Sequence, residues 1–219
     1  MAAVVSGSGL GLFDSSLASI GRAHGGRASV GQALEGQYVN IATGNLVLQD
    51  QDESILTRGL PISFVRTYNS LGTVGGVGQD GWLHGFERRV TGLTGTVNTA
   101  GSTVRRVLGD GTETVFTWDA ASDAYVSTDG SGAHDTLTWN ATRQHWTWTE
   151  GSTLQREVYD AAGTNGGRLV SILDVKSGAN YRLTYSGSRL VSVVSSLANG
   201  DGLFFTYDAA NRLQSINTR

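Results

Sequence analysis

Along most of the chain, apolar side chains alternate with polar ones, and every few residues the alternation stops at glycine, asparagine or aspartate. That pattern predicts short strands with one covered face, joined by tight turns. Leu203, Phe205 and Tyr207 fall on one face of a strand, and Tyr181, Leu183 and Tyr185 do so one hairpin earlier. Leu169, Ser171 and Leu173 alternate with Val170 and Ile172, which suits a strand covered on both faces. Ser177-Gly178-Ala179-Asn180 and Asn199-Gly200-Asp201-Gly202 supply the turns. Upstream, Ile62, Phe64, Arg66 and Tyr68 alternate with Ser63, Val65 and Thr67, and Thr43-Gly44-Asn45 reads as a tight turn between two earlier strands. Val104 to Leu108, Gly109-Asp110-Gly111 and Thr112 to Trp118 read as strand, turn and strand; Thr136 to Trp139 and His145 to Thr149 continue the series. The expected fold is all-β and antiparallel, built from repeated hairpins. No linker is marked by proline or a charge run, so one continuous sheet is expected. Residues 1–36 differ: they are rich in Gly, Ala and Ser and read as a flexible leader, or as a short helix capped by Asp14 and running through Leu17 and Ile20 to Arg22.

The last third contains a unit that recurs. Tyr159-Asp160 is followed by Arg168-Leu169, Tyr185-Ser186-Gly187 by Arg189-Leu190, and Tyr207-Asp208-Ala209-Ala210-Asn211 by Arg212-Leu213. The Arg-Leu pairs begin at 168, 189 and 212, a spacing near the lower limit for stacked repeats. One hairpin cannot bury its apolar face alone, whereas stacked copies can, so the repeat implies a sheet built by addition. Its last strand, at Phe204 to Tyr207 or beyond, would offer an open edge. The recurring Arg168, Arg189 and Arg212 read as register pins: each packs its stem and hydrogen-bonds a neighbouring hairpin or its own Asp. The functional alternative makes them ligand contacts.

These Tyr-Asp, turn and Arg-Leu units resemble the YD repeats of the RHS family of bacterial secreted and toxin-associated proteins, and of their animal relatives the teneurins. A second stretch carries an independent resemblance. Val39-Asn40, Thr43-Gly44-Asn45-Leu46 and Leu60-Pro61, with Phe64, Arg66-Thr67-Tyr68-Asn69-Ser70 and then Gly81-Trp82, are similar to the entry segment of RHS repeat regions. The resemblance divides the chain into a leader (1–36), an entry segment (37–92) and YD-like hairpins (93–219). It implies a non-enzymatic scaffold: the first section of a secreted or cell-surface β-shell that encloses a toxin or cargo domain, or supports adhesion. The implied partners are further YD repeats and a carboxy-terminal cargo or toxin domain of one longer chain, with surface glycans or proteins as further candidates.

Composition narrows the alternatives. There are 31 Gly and one Pro in 219 residues, which is turn-rich β composition. The net charge of -3 gives no reason to expect nucleic acid or an anionic membrane. Without Cys there is no disulfide framework, thiol nucleophile or Cys-ligated zinc. No apolar run reaches membrane-spanning length, and Met1 to Leu12 lacks the plan of an ordinary secretory signal.

Candidate chemistry is sparse. Gly75 to Leu83, with Asp80, fits one nonapeptide of a calcium-binding β-roll, although a glycine loop feeding a strand is the expected reading. Asp50, Asp52 and Glu53 are expected to be a solvated strand end rather than a calcium site. Trp118, Trp139, Trp146 and Trp148 are expected in the core; Trp146 and Trp148 share a strand face and could instead stack sugars, the basis of the competing reading as a stand-alone carbohydrate-binding or adhesive module. His24, His84, His134 and His145 have no metal-binding spacing, and no nucleophile turn accompanies His134-Asp135. Glu87, Glu113, Glu150 and Glu157 are expected on strand surfaces. No cofactor or catalytic residue is predicted.

Overall fold

The computed structural model describes residues 36–40, 45–57, 61–71, 82–111, 113–128, 133–160, 167–197 and 200–219. Among them are sixteen strands and no helix, and every strand pairing is antiparallel. The all-β antiparallel class is therefore correct. The leader and its Asp14 helix lie outside the described residues.

The strands form two sheets rather than the single one expected. The first holds β1 (Gly36–Asn40), β2 (Asn45–Ile55), β3 (Ile62–Asn69) and β4 (Trp82–His84), in chain order. The break follows β4. Glu87 N donates to His84 O at 2.8 Å, turning the chain, and Leu169 N then donates to Arg88 O at 3.1 Å. The next strand is thereby committed to a partner far along the sequence.

The second sheet holds twelve strands: β5 (Arg89–Thr94), β6 (Thr103–Val107), β7 (Glu113–Asp119), β8 (Ala124–Val126), β9 (Thr136–Asn140), β10 (His145–Thr149), β11 (Arg156–Asp160), β12 (Gly167–Leu173), β13 (Asn180–Ser186), β14 (Arg189–Ser195), β15 (Gly202–Tyr207) and β16 (Leu213–Thr218). Strands β5 to β12 close on themselves. One edge of β12 pairs with β11; on its other edge Gly167 and Arg168 pair with Val90 and Arg89 of β5, and Ser171 to Leu173 pair with β13. An eight-stranded ring results, and β13 to β16 are added outward from it. The ring differs from the expected single continuous sheet built by addition. Gly167 sits close at this closure: a Cβ there would lie 3.2 Å from Asp160 O and 3.3 Å from Val90 O, so a side chain would require these neighbours to shift slightly.

The alternation read from the sequence sets what is buried. Val104, Phe116, Tyr125, Leu137 and Tyr159 fill the ring, while Leu183, Leu190, Val193, Leu203 and Phe205 continue the core beneath the added strands. The small sheet docks there through Phe64, whose ring lies 5.3 Å from that of Phe205 and 5.1 Å from that of His84. The β6–β7 turn closes the junction: a Cβ on Gly109 would lie 2.2 Å from His84 O, a contact that backbone on both sides cannot relieve. Gly109→Ala should therefore destabilise the chain by about 1–3 kcal/mol, the cost of overpacking. Urea unfolding followed by tryptophan fluorescence measures it; an unchanged midpoint would contradict the docking.

Candidate functional site

The repeat signature proves to be one interaction used twice in succession. In all three units a β-bulge precedes the tyrosine, at Val158/Tyr159, Thr184/Tyr185 and Thr206/Tyr207, and the tyrosine then lies opposite the leucine of its own hairpin. The bulge re-aims the side chain. The Tyr185 hydroxyl donates to Leu169 O, in the preceding unit, at 2.7 Å. The Tyr207 hydroxyl donates to Leu190 O at 2.8 Å. The arginine beside each accepting leucine covers the incoming ring: the Arg168 guanidinium carbon sits 4.3 Å from the Tyr185 centroid, and that of Arg189 sits 5.7 Å from the Tyr207 centroid. Each arginine also binds the next hairpin's turn, Arg168 through Gly187 O at 2.6 Å and Arg189 through Asn211 Oδ1 at 3.0 Å. Burial raises both phenol pKa values, that of Tyr207 to about 12, so the hydroxyls remain donors at physiological pH.

The third unit ends the described chain. Leu213 stands where Leu169 and Leu190 stand, on β16. Arg212 turns back on its own hairpin: its Nε donates to Asp208 Oδ2 at 2.8 Å and its backbone N to Asp208 Oδ1 at 2.9 Å. These bonds lower the Asp208 pKa, and the Arg212 side chain remains 71% exposed. Strand β16 is paired on one side only among the described residues. Gly202 and Arg219 exchange both backbone hydrogen bonds, so the alternation of an antiparallel ladder turns the N–H groups of Ile216 and Thr218 to the open side.

Beside this edge lies a groove of about 430 Å³, lined on one wall by Arg212 to Ile216 and on the other by residues of the small sheet. Arg66 crosses that second wall, with Nη2 2.6 Å from Asp52 Oδ1 and 3.9 Å from Asp50 Oδ2, and its guanidinium carbon 5.1 Å from the Trp82 ring centroid. Tyr68 packs on Trp82 at 5.6 Å. His84, also in the groove, has its pKa lowered by burial against the opposing pull of Glu87. The acidic cluster is thus matched by an arginine. Among the described residues no group of three or more His, Cys, Asp or Glu is placed to hold a metal ion.

A second polar constellation sits inside the ring. Glu157 on β11 is fully buried. Arg106 on β6 donates through Nη2 to Glu157 Oε2 at 2.7 Å and through Nε to the Tyr159 hydroxyl at 2.9 Å. Tyr159 and Arg88 both donate to the Glu157 carboxylate as well. The Arg106 guanidinium carbon lies 3.6 Å from the Trp148 ring centroid. Burial alone would raise the Glu157 pKa, but Arg106 and then Arg88 outweigh it and hold the carboxyl at about 2. Burial also raises the Tyr159 pKa. These groups keep fixed protonation states near neutrality, and the cluster ties three elements of the ring together. The surface position expected for Glu157 was wrong. The corrective signal was local: Glu157 is two residues before Tyr159 and so shares its inward face.

The other expected residues fall as follows. Trp146 and Trp148 are 5% and 4% exposed. Trp146 is packed between Trp139 at 5.1 Å and Tyr125 at 5.3 Å, and Arg106 covers Trp148, so neither offers a face to a sugar. In the entry segment, Asn45 Oδ1 accepts from Ser70 Oγ and Leu71 N, both at 3.1 Å, tying the start of β2 to the end of β3; Asn69 is buried beside it. Asn40 pairs with Asn45 through the backbone ladder. Asp135 accepts a hydrogen bond from Gly151 N at 3.0 Å, a turn contact. Gly44, Asp80, Gly81 and His24 lie outside the described residues. No helix among the described residues is long and apolar enough to cross a membrane.

A family model described as a domain of unknown function, DUF6531, matches residues 36–116. The match takes in the small sheet, β5, β6 and the start of β7, and stops short of the tyrosine units. No curated protein matches the chain.

Glu157→Gln would leave Arg106 without its anion in a dry interior, a loss of about 3–5 kcal/mol for a broken buried pair. The wild-type Glu157 pKa is lower folded (about 2) than the ordinary value of 4.5, so its stabilisation is complete above that ordinary value and is lost as pH falls toward 2. Urea midpoints between pH 7 and pH 2 should fall in the wild type and fall less steeply in Glu157→Gln. Parallel curves would contradict the assignment.

Proposed function

We propose that this chain is a non-enzymatic structural scaffold, one section of a secreted or cell-surface β-shell of the RHS/YD-repeat type that encloses a toxin or cargo domain or supports adhesion. The observation that carries the reading is the tyrosine–arginine–leucine ladder. It occurs twice, from Tyr185 on β13 to β12 and from Tyr207 on β15 to β14, and the series ends at a strand whose outer edge is unpaired among the described residues. A ladder of this kind does for hairpins what stacking interfaces do for other repeats: each unit is stabilised by its neighbour. The buried charges of the ring serve the same end, since a fixed ion cluster suits a rigid starting section better than a reacting centre. Further YD repeats of one longer chain are the proposed partners of β16, and an uncovered edge of this kind also promotes self-association. The glycan-binding alternative loses its support with the burial of Trp146 and Trp148.

An immunoblot of source cells and their medium, with antibody raised against residues 37–219, tests the proposal. It should show a band many times larger than 23.1 kDa, present in the medium or on the cell surface. A band of 23.1 kDa confined to the cytoplasm would overturn it.

A further inference from the structure

We infer that Arg212 and the Leu213 carbonyl form the vacant half of a tyrosine seat, which selects as its occupant an antiparallel hairpin whose first strand ends in a tyrosine just before the turn. This deepens the proposed role of β16 as an extension edge and rests on it. Two filled seats exist, Arg168 with Leu169 O and Arg189 with Leu190 O, and both hold the next hairpin's tyrosine by the same hydrogen bond and the same guanidinium cover. The third pair, Arg212 with Leu213, has the same place in the unit and the same sequence, and it lies on the unpaired edge. In both filled seats the arginine reaches forward to the next turn, whereas Arg212 is held back by Asp208. That exposed contact is a weak one. An incoming hairpin would exchange it for a ring to cover and a turn acceptor to bind.

The neighbourhood fits the same occupant. The inward row of β16 is Leu213 and Ile216, both packed partly on the core, so the incoming strand must present apolar residues inward. The groove beside β16 provides room for them, with Trp82 and Phe64 on its far wall. The backbone supplies affinity through the Ile216 and Thr218 amides, as in strand addition generally, and the seat supplies register. A strand without the tyrosine could pair with β16 but would lack the contact that fixes which residue lies opposite Leu213.

The test uses the full 219-residue chain extended after Arg219 by a second copy of residues 197–219, a hairpin already known to suit a seat. Chymotrypsin cleavage within the added copy, followed by mass spectrometry, reports the fraction undocked, because cleavage tracks the open population. Docking should slow cleavage relative to the same 23 residues as a free peptide. Tyr207→Phe made in the added copy alone, and Arg212→Ala made in the parent chain alone, should each remove about five- to tenfold of that protection, the worth of one hydrogen bond or one ring–cation contact. Protection that survives either substitution undiminished overturns the seat while leaving β16 as an extension edge. Cleavage as fast as in the free peptide overturns the extension edge itself.

Discussion

The structure depends on what β12 does with its two edges. One edge is given to β11 along its length. The other is divided, the first residues closing a ring against β5 and the last residues starting a new run at β13. Gly167 lets the strands approach closely at the division, where a side chain would crowd the carbonyls of Asp160 and Val90. Without the closing pair the ring strands would form an open sheet with an exposed edge at β5, a liability for any all-β chain. Without the opening pair there would be no place to add further hairpins.

The two halves are stabilised by different physics. The ring encloses charge: Glu157 and Arg106 are buried, the partly exposed Arg88 reaches in to the same carboxylate, and desolvation is offset because these partners are in place. Such a cluster contributes modestly in net terms and costs heavily when one member is removed. It therefore holds β6, β10 and β11 together, along with the segment that enters β5 at Arg88. The added strands use repetition instead. Each seat contributes one neutral hydrogen bond and one ring–cation contact, about 1 kcal/mol each, and the same contribution is made by both added hairpins. The first part is thus held by one buried network and the second by a contact that is repeated.

The period-two pattern revealed β3, β6, β7, β9, β10, β12, β13 and β15, because each has a covered face and a wet face, and the Tyr-Asp and Arg-Leu units were legible because the same residue types recur in the same order. Arg168 and Arg189 were read as register pins because they recur at one position of the unit, and each bonds the next hairpin's turn. Ring closure was not legible. It rests on two backbone pairings between residues nearly eighty positions apart, Val90 with Gly167 and Arg89 with Arg168, and a glycine opposite a valine carries no sequence signal for that. Glu157 was misplaced because a charged residue in a strand is usually solvated; its inward direction follows from Tyr159, but its partners Arg88 and Arg106 come from distant strands. The tryptophans were ambiguous for a similar reason, since one strand face looks the same in sequence whether water or Arg106 covers it.

The central claim is that β16 is an open edge waiting for a strand. Amide hydrogen exchange on the monomeric chain tests it most directly. Phe204 and Thr206 face β16 in the ladder, whereas the Ile216 and Thr218 amides face outward. The account predicts rapid exchange at Ile216 and Thr218 beside slow exchange at Phe204 and Thr206. Slow exchange at all four positions in the monomer would mean that the edge is already covered, and the account of this chain as an extendable section would be contradicted.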